Sequence, residues 1–249
     1  MPRYPRSSSS ISYTFGPGPW TPGVKAIILT NIVVFLLAFF VPAVTIHLGL
    51  TCAFVLEQLW VWQLVTYMFV HREPFHILFN MLAVWMFGVE LEHRWGTRQF
   101  VKYYMITGVG AGLTTLLVSL LPFEFARPVY YSVTYGASGA VYGLLLAYAL
   151  YFPNRPLIFF PIPIPIAAKY FVMILGAFAF VSSLSAASSG IAHATHLGGL
   201  VVGYFYLTRG RGGPLAELKY RWLRWRMARL RRRFDVVSGG RGGWNDRVH

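Results

Sequence analysis

The hydrophobic residues of this 249-residue chain are gathered into long blocks. The first, residues 26–46 (AIILTNIVVFLLAFFVPAVTI), runs 21 residues without a charge, which matches the ~20 residues that a bilayer-spanning helix needs. Further blocks lie at about 75–89, 103–121, 137–152, 166–184 and 192–208. The stretch 54–70 (FVLEQLWVWQLVTYMFV) is long enough to compete. It carries Glu57, Gln58 and Gln63, however, and its Trp60, Trp62 and Tyr67 suit a segment lying in the plane of the head groups or re-entering from it. The pattern predicts an all-α membrane protein with six spans.

The positions of the charges support that count. With six spans and both termini on the cytoplasmic side, 20 of the 22 Lys and Arg residues fall inside and only Arg72 and Arg127 fall outside. If 54–70 also spans, the best orientation leaves 17 inside and 5 outside, a poorer fit to the positive-inside rule. Composition agrees: 56% of residues are hydrophobic and 12% charged, against about 25% charged in an average soluble domain.

The net charge of +14 is concentrated at one end, because residues 209–249 hold 12 Lys and Arg against 3 acids. A basic segment just after the last span fixes topology and touches anionic lipid head groups, so membrane lipids are expected partners and nucleic acid is not. The N-terminal segment, residues 1–23, is polar and rich in Pro, Ser and Gly. It lacks the apolar core and small-residue cleavage site of a secretory signal and reads as a disordered cytoplasmic tail. Cys52 is the lone cysteine, which excludes an intramolecular disulfide and any cysteine-rich metal site. A bacterial plasma (inner) membrane is the expected location.

Polar side chains inside spans are expensive, so each is a candidate for function. His76 and Asn80 fall near the outer end of the second span, Ser138 at the outer start of the fourth, and His196 about one turn into the sixth. At 1.5 Å of rise per residue, all four lie within roughly 10 Å of the outer ends of their helices. Ser138 sits in Gly136-Ala137-Ser138-Gly139, where glycines let the backbone turn sharply and expose a hydroxyl together with nearby N–H groups, as a nucleophile with an oxyanion hole requires. A serine opening a helix is also a good N-cap, so the motif needs a partner. His196 is the candidate base. It begins His196-Leu197-Gly198-Gly199-Leu200-Val201-Val202-Gly203, and Gly199 and Gly203 repeat the small-xxx-small spacing of Gly139 and Gly143. Two such faces allow close helix approach, which would set Ser138 opposite His196.

The only acids before residue 210 are Glu57, Glu73, Glu90, Glu92 and Glu124, and none falls in an assigned span. The expected site is therefore a Ser–His dyad without a carboxylate. Tyr142, one turn after Ser138, could stack on the imidazole or be an ordinary core tyrosine. His76 and Asn80, spaced i, i+4 on one helix face, could donate to an oxyanion, although an Asn in a span can also simply bridge helices.

These three elements, Gly136-Ala137-Ser138-Gly139, His196 to Gly203, and His76-x-x-x-Asn80, together resemble the rhomboid family of intramembrane serine proteases in order and in span. The resemblance covers roughly residues 24–208, between an N-tail of 1–23 and a basic C-tail of 209–249. It implies a six-helix rhomboid-like bundle, Ser138 as nucleophile and His196 as general base. It also implies an oxyanion hole from His76, Asn80 and the Ser138 N–H, Tyr142 packed on the histidine, and Gly136, Gly139, Gly199 and Gly203 in support. Single-span or polytopic membrane proteins are the implied substrates, with no cofactor and no metal. His71 falls where the family often has a structural histidine. Two features depart from the family: its Trp-Arg pair in the first outer loop is absent, with Trp62-Gln63 near that place, and a second histidine, His193, stands one turn before His196.

Other functions stay in view. A zinc protease could use His193 and His196 with His71 and His76, but there is no His-Glu-x-x-His and no acid nearby to act as ligand or base. A non-catalytic protein that binds transmembrane helices keeps the fold without the chemistry. A transporter would be expected to carry inverted repeats or mid-span charges, and neither is seen.

Overall fold

The computed structural model describes residues 17–124, 126–159, 162–183 and 190–209, together with 222, 224–227 and 229. Two compact units are present, Met1–Leu207 and Thr208–His249. Only the first bears on the site; the basic tail lies almost wholly outside the described residues, as do residues 1–16.

The first unit is a bundle of long apolar helices. Helix α1 (Pro22–Phe40), α5 (Pro74–Trp95) and α6 (Thr97–Ser119) are long and apolar enough to cross a membrane. Helix α8 (Ser138–Tyr151), α9 (Ala168–Ser183) and α10 (Gly190–Thr208) complete the bundle. Helix α8 is central, packing on α5, α6 and α9, while α1 packs on α5 and α6. The outward faces stay apolar: on α1, Val33, Leu36, Leu37, Phe39 and Phe40 are all exposed. Such a surface suits lipid rather than water. The protein is an all-α membrane bundle.

The expected first span, 26–46, is corrected: α1 stops at Phe40, and a separate short helix, α2 (Ala43–Leu48), follows. Pro42 explains the break, because it lacks an N–H and its ring drives Val41 out of helical geometry, to φ −127° and ψ 85°. The stretch 54–70 folds as the short pieces α3 (Cys52–Glu57) and α4 (Gln63–Thr66) and a 3-10 turn (Tyr67–Phe69), none long enough to cross a bilayer. A further short helix, α7 (Ala126–Tyr131), leads toward α8. The connection between α8 and α9 contains an antiparallel hairpin of β1 (Pro156–Phe159) and β2 (Ile162–Ala167).

Helix α5 also runs further than its apolar block, so Glu90 and Glu92 lie within it, contrary to expectation. Both are partnered. Glu90 pairs with Arg155 at 2.6 Å. Glu92 is buried and accepts from the Thr21 hydroxyl, the Gly23 N–H (2.8 Å), the Val24 N–H (2.9 Å) and the Thr97 hydroxyl (2.7 Å). A helix N-terminus leaves backbone N–H groups without partners and favours negative charge. Glu92 thus caps the start of α1 from a neighbouring helix.

Candidate active site

The turn into α8 is set by three contacts. Gly136 has φ +117°, a conformation that side chains resist, and a Cβ there would lie 2.6 Å from Cε1 of His76. Its N–H donates to the Tyr67 carbonyl (3.0 Å), and the Ala137 N–H donates to Nε2 of His71 (3.3 Å). His71 is fully buried, and burial, reinforced by His76, holds it down at about 3, so the ring stays neutral and able to accept. The expected structural histidine therefore anchors the loop that presents the serine. The N-cap position is held by Ala137 rather than by Ser138, and no side chain caps the helix. As the first residue of α8, Ser138 makes no capping bond, and its Oγ lies 2.7 Å from Nε2 of His196.

Glycine allows that approach. A Cβ on Gly199 would lie 1.9 Å from the carbonyl oxygen of Gly139, and one on Gly203 would lie 2.6 Å from the Tyr103 hydroxyl and 3.4 Å from Cα of Gly143. The small-residue face of α10 lies directly on that of α8, as the spacing predicted. Where α6 meets α10, the hydroxyls of Thr115 and Thr195 approach to 2.7 Å. Tyr142 stacks on His196 with ring centroids 4.4 Å apart and planes 8° from parallel. That contact holds the imidazole flat against α8. Nδ1 of His196 has no hydrogen-bond partner among the described residues, so no carboxylate orients it.

A cavity of about 390 Å³ opens beside the pair, lined by Ser138, His196, His76, Gly136 and Tyr135 among others. His76 faces it. Asn80 is buried one turn behind and does not line the cavity; its amide donates to the His76 carbonyl at 2.9 Å. His193 lies edge-on to His196 (centroids 5.8 Å apart, 82°) and to Phe178 of α9 (5.4 Å, 87°). Its Nδ1 has no partner among the described residues. Helix α10 begins at Gly190, two residues before the apolar block at 192–208, and residues 184–189 lie outside the described set.

Two residues of this region carry roles that the sequence did not reveal. Glu73 lines the cavity although the site was expected to hold no carboxylate. The signal was its place immediately before Pro74, which opens α5 and makes Glu73 the N-cap position beside His76. Gln63, standing where the family's arginine was missed, is fully buried and ties the first loop together. Its Oε1 accepts from the Thr51 N–H (3.0 Å), and its Nε2 donates to the Ile46 carbonyl (3.0 Å). The Trp62 indole adds a bond to the His47 carbonyl at 2.9 Å.

Comparison with known proteins bears on the same region. Residues 58–211, more than half of the chain, match the family model described as the rhomboid domain. The chain belongs to the rhomboid family. Rhomboid protein 1, mitochondrial, of Saccharomyces cerevisiae is 33% identical over 145 residues, which cover 55% of this chain and 38% of that protein. Rhomboid protease AarA of Providencia stuartii is 29% identical over 150 residues, covering 57% of this rhomboid chain and 53% of its own. Rhomboid protease GluP of Bacillus subtilis is 30% identical over 146 residues, 58% and 25% respectively. The chain thus spans about half or less of the length of these three relatives.

Proposed function

We propose that this rhomboid-family protein is an intramembrane serine endopeptidase that hydrolyses peptide bonds in or near the transmembrane segments of other membrane proteins. The observation that carries the proposal is the 2.7 Å approach of His196 Nε2 to Ser138 Oγ. Nε2 takes the hydroxyl proton as Oγ attacks the substrate carbonyl, and then returns it to the leaving amine; water completes the cycle by the reverse steps. With nothing among the described residues hydrogen-bonded to Nδ1, the stacked Tyr142 ring orients the base in place of an acid. The Ser138 N–H at the start of α8 and His76 stabilise the oxyanion, assisted by the positive end of the helix, and Asn80, whose amide holds the His76 carbonyl, positions His76.

Helix length supports a site inside the bilayer. The 14 residues of α8 extend only ~21 Å at 1.5 Å each, against a hydrocarbon core of ~30 Å. With its Tyr151 end at one interface, Ser138 lies about 9 Å below the other. In this reading the chain crosses the membrane six times, at α1, α5, α6, α8, α9 and α10, both termini are cytoplasmic, and the membrane is a bacterial inner membrane. The open cavity then admits water to the serine from the outer side.

The test is cleavage of a reporter with one transmembrane segment, in liposomes. Ser138→Ala and His196→Ala are each expected to lower the rate by about 10³-fold or more without changing the melting temperature. Full activity in Ser138→Ala would overturn the mechanism.

A further inference from the structure

The cavity beside Ser138 has a charge that the proposed chemistry does not use. Among the described residues lining it, Glu73 is the one Asp, Glu, Lys or Arg. As the residue before Pro74 it could cap α5, yet its side chain makes no capping bond. Instead Oε1 accepts from the Tyr135 hydroxyl at 3.2 Å, and Oε2 lies 3.7 Å from Nδ1 of His76, beyond hydrogen-bond distance. Burial and the adjacent carboxylate both raise Tyr135, so its hydroxyl keeps the proton and remains the donor. The Glu73 side chain is 58% exposed. Arg72 also interacts with Tyr135 but does not line the cavity. The neighbouring His71 is neutral, so it does not neutralise the carboxylate. An anchored carboxylate thus faces an open cavity lined by no Lys or Arg among the described residues, while Arg72 reaches the same Tyr135 hydroxyl from outside it.

We propose that Glu73, held by Tyr135, is a subsite for a cationic side chain of the substrate. Resting on the protease reading above, it makes the protein favour membrane-protein substrates with Lys or Arg close to the scissile bond and disfavour Asp or Glu there. The Tyr135 ring supplies a face over which an ammonium or guanidinium group can lie while it pairs with the carboxylate. Partial removal from water strengthens such a pair, and the same field repels an acidic side chain. The subsite sets which peptide enters and leaves the dyad chemistry unchanged.

A reporter series tests this. Lys, Gln or Glu is placed in turn at each of three positions on either side of the scissile bond. At one or more positions the wild-type protein is expected to cleave the Lys form about tenfold faster than the Glu form, read as kcat/KM. Glu73→Gln brings that ratio within about twofold, and Glu73→Lys inverts it. Indifference of the wild type at all six positions, or a preference that survives Glu73→Gln, overturns the subsite. A second arm separates failure of the subsite from failure of the catalysis. Photo-crosslinking of the same reporters to Ser138→Ala protein, with and without Glu73→Gln, reads binding alone, and equal yields for the Lys and Glu forms reject the subsite even where no peptide is cleaved.

Discussion

Helix α5 carries a polar cluster at each end, separated by the 16 residues from His76 to Glu92, or ~24 Å along the axis. At the Trp95 end the buried Glu92 is fully matched: each carboxylate oxygen accepts two hydrogen bonds, from the first turn of α1 and from Thr97. At the Pro74 end matching is incomplete. His196 has one nitrogen on Ser138 and the other without a partner, and Nδ1 of His193 likewise has none among the described residues. A fully bonded carboxylate is chemically inert and fixes where two helices meet. A half-bonded imidazole next to a serine can still take a proton. Buried polar groups thus serve architecture at one end and reactivity at the other, and the difference lies in how completely they are paired.

Substitutions at the two ends should therefore fail in different ways. The largest loss of stability is expected for Glu92→Gln, whose amide cannot accept from both the α1 backbone and the threonines. About 3 kcal/mol is expected in thermal or denaturant unfolding in detergent, with activity per folded molecule retained. Activity lost in protein that remains fully folded would break the comparison. Asn80→Ala should do the reverse, lowering kcat by about tenfold with KM little changed, because the Ser138 N–H and His76 still face the oxyanion. It also removes the bond to the His76 carbonyl, so a kcat left unchanged would show that the amide serves the helix alone. The smallest effect is expected for His193→Ala, with rate within about twofold of wild type, because His193 touches His196 only edge-on and no hydrogen bond links them. A loss as large as that of His196→Ala would make His193 part of the proton path.

The sequence placed the polar residues on the right helices because intramembrane serine, histidine and asparagine are rare against an apolar background. The glycine spacing showed which faces of α8 and α10 meet, and the structure adds how tightly, with Gly199 against the backbone of Gly139. What stayed hidden depended on partners distant in sequence. Glu90 and Glu92 looked like loop residues because a charge normally ends a span, and nothing local shows that Arg155 and the first turn of α1 receive them. Glu73 was one of the acids outside the assigned spans; its place in the cavity follows from Tyr135, 62 residues away. Gln63 offered no local signal, since the carbonyls it satisfies belong to α2 and the N–H it accepts from is that of Thr51, 12 residues away. The early end of α1 was readable from Pro42, but the unbroken apolar run obscured it.

The double duty of α5 makes its length a gauge for the molecule. One residue added or removed between Asn80 and Glu92 would turn one end by about 100° against the other and shift it by about 1.5 Å. Either Glu92 would leave the start of α1, or His76 would turn away from the Gly136 turn. Point changes on the lipid-facing side can be absorbed locally, whereas a change in the count of residues between these two anchors has nowhere to go.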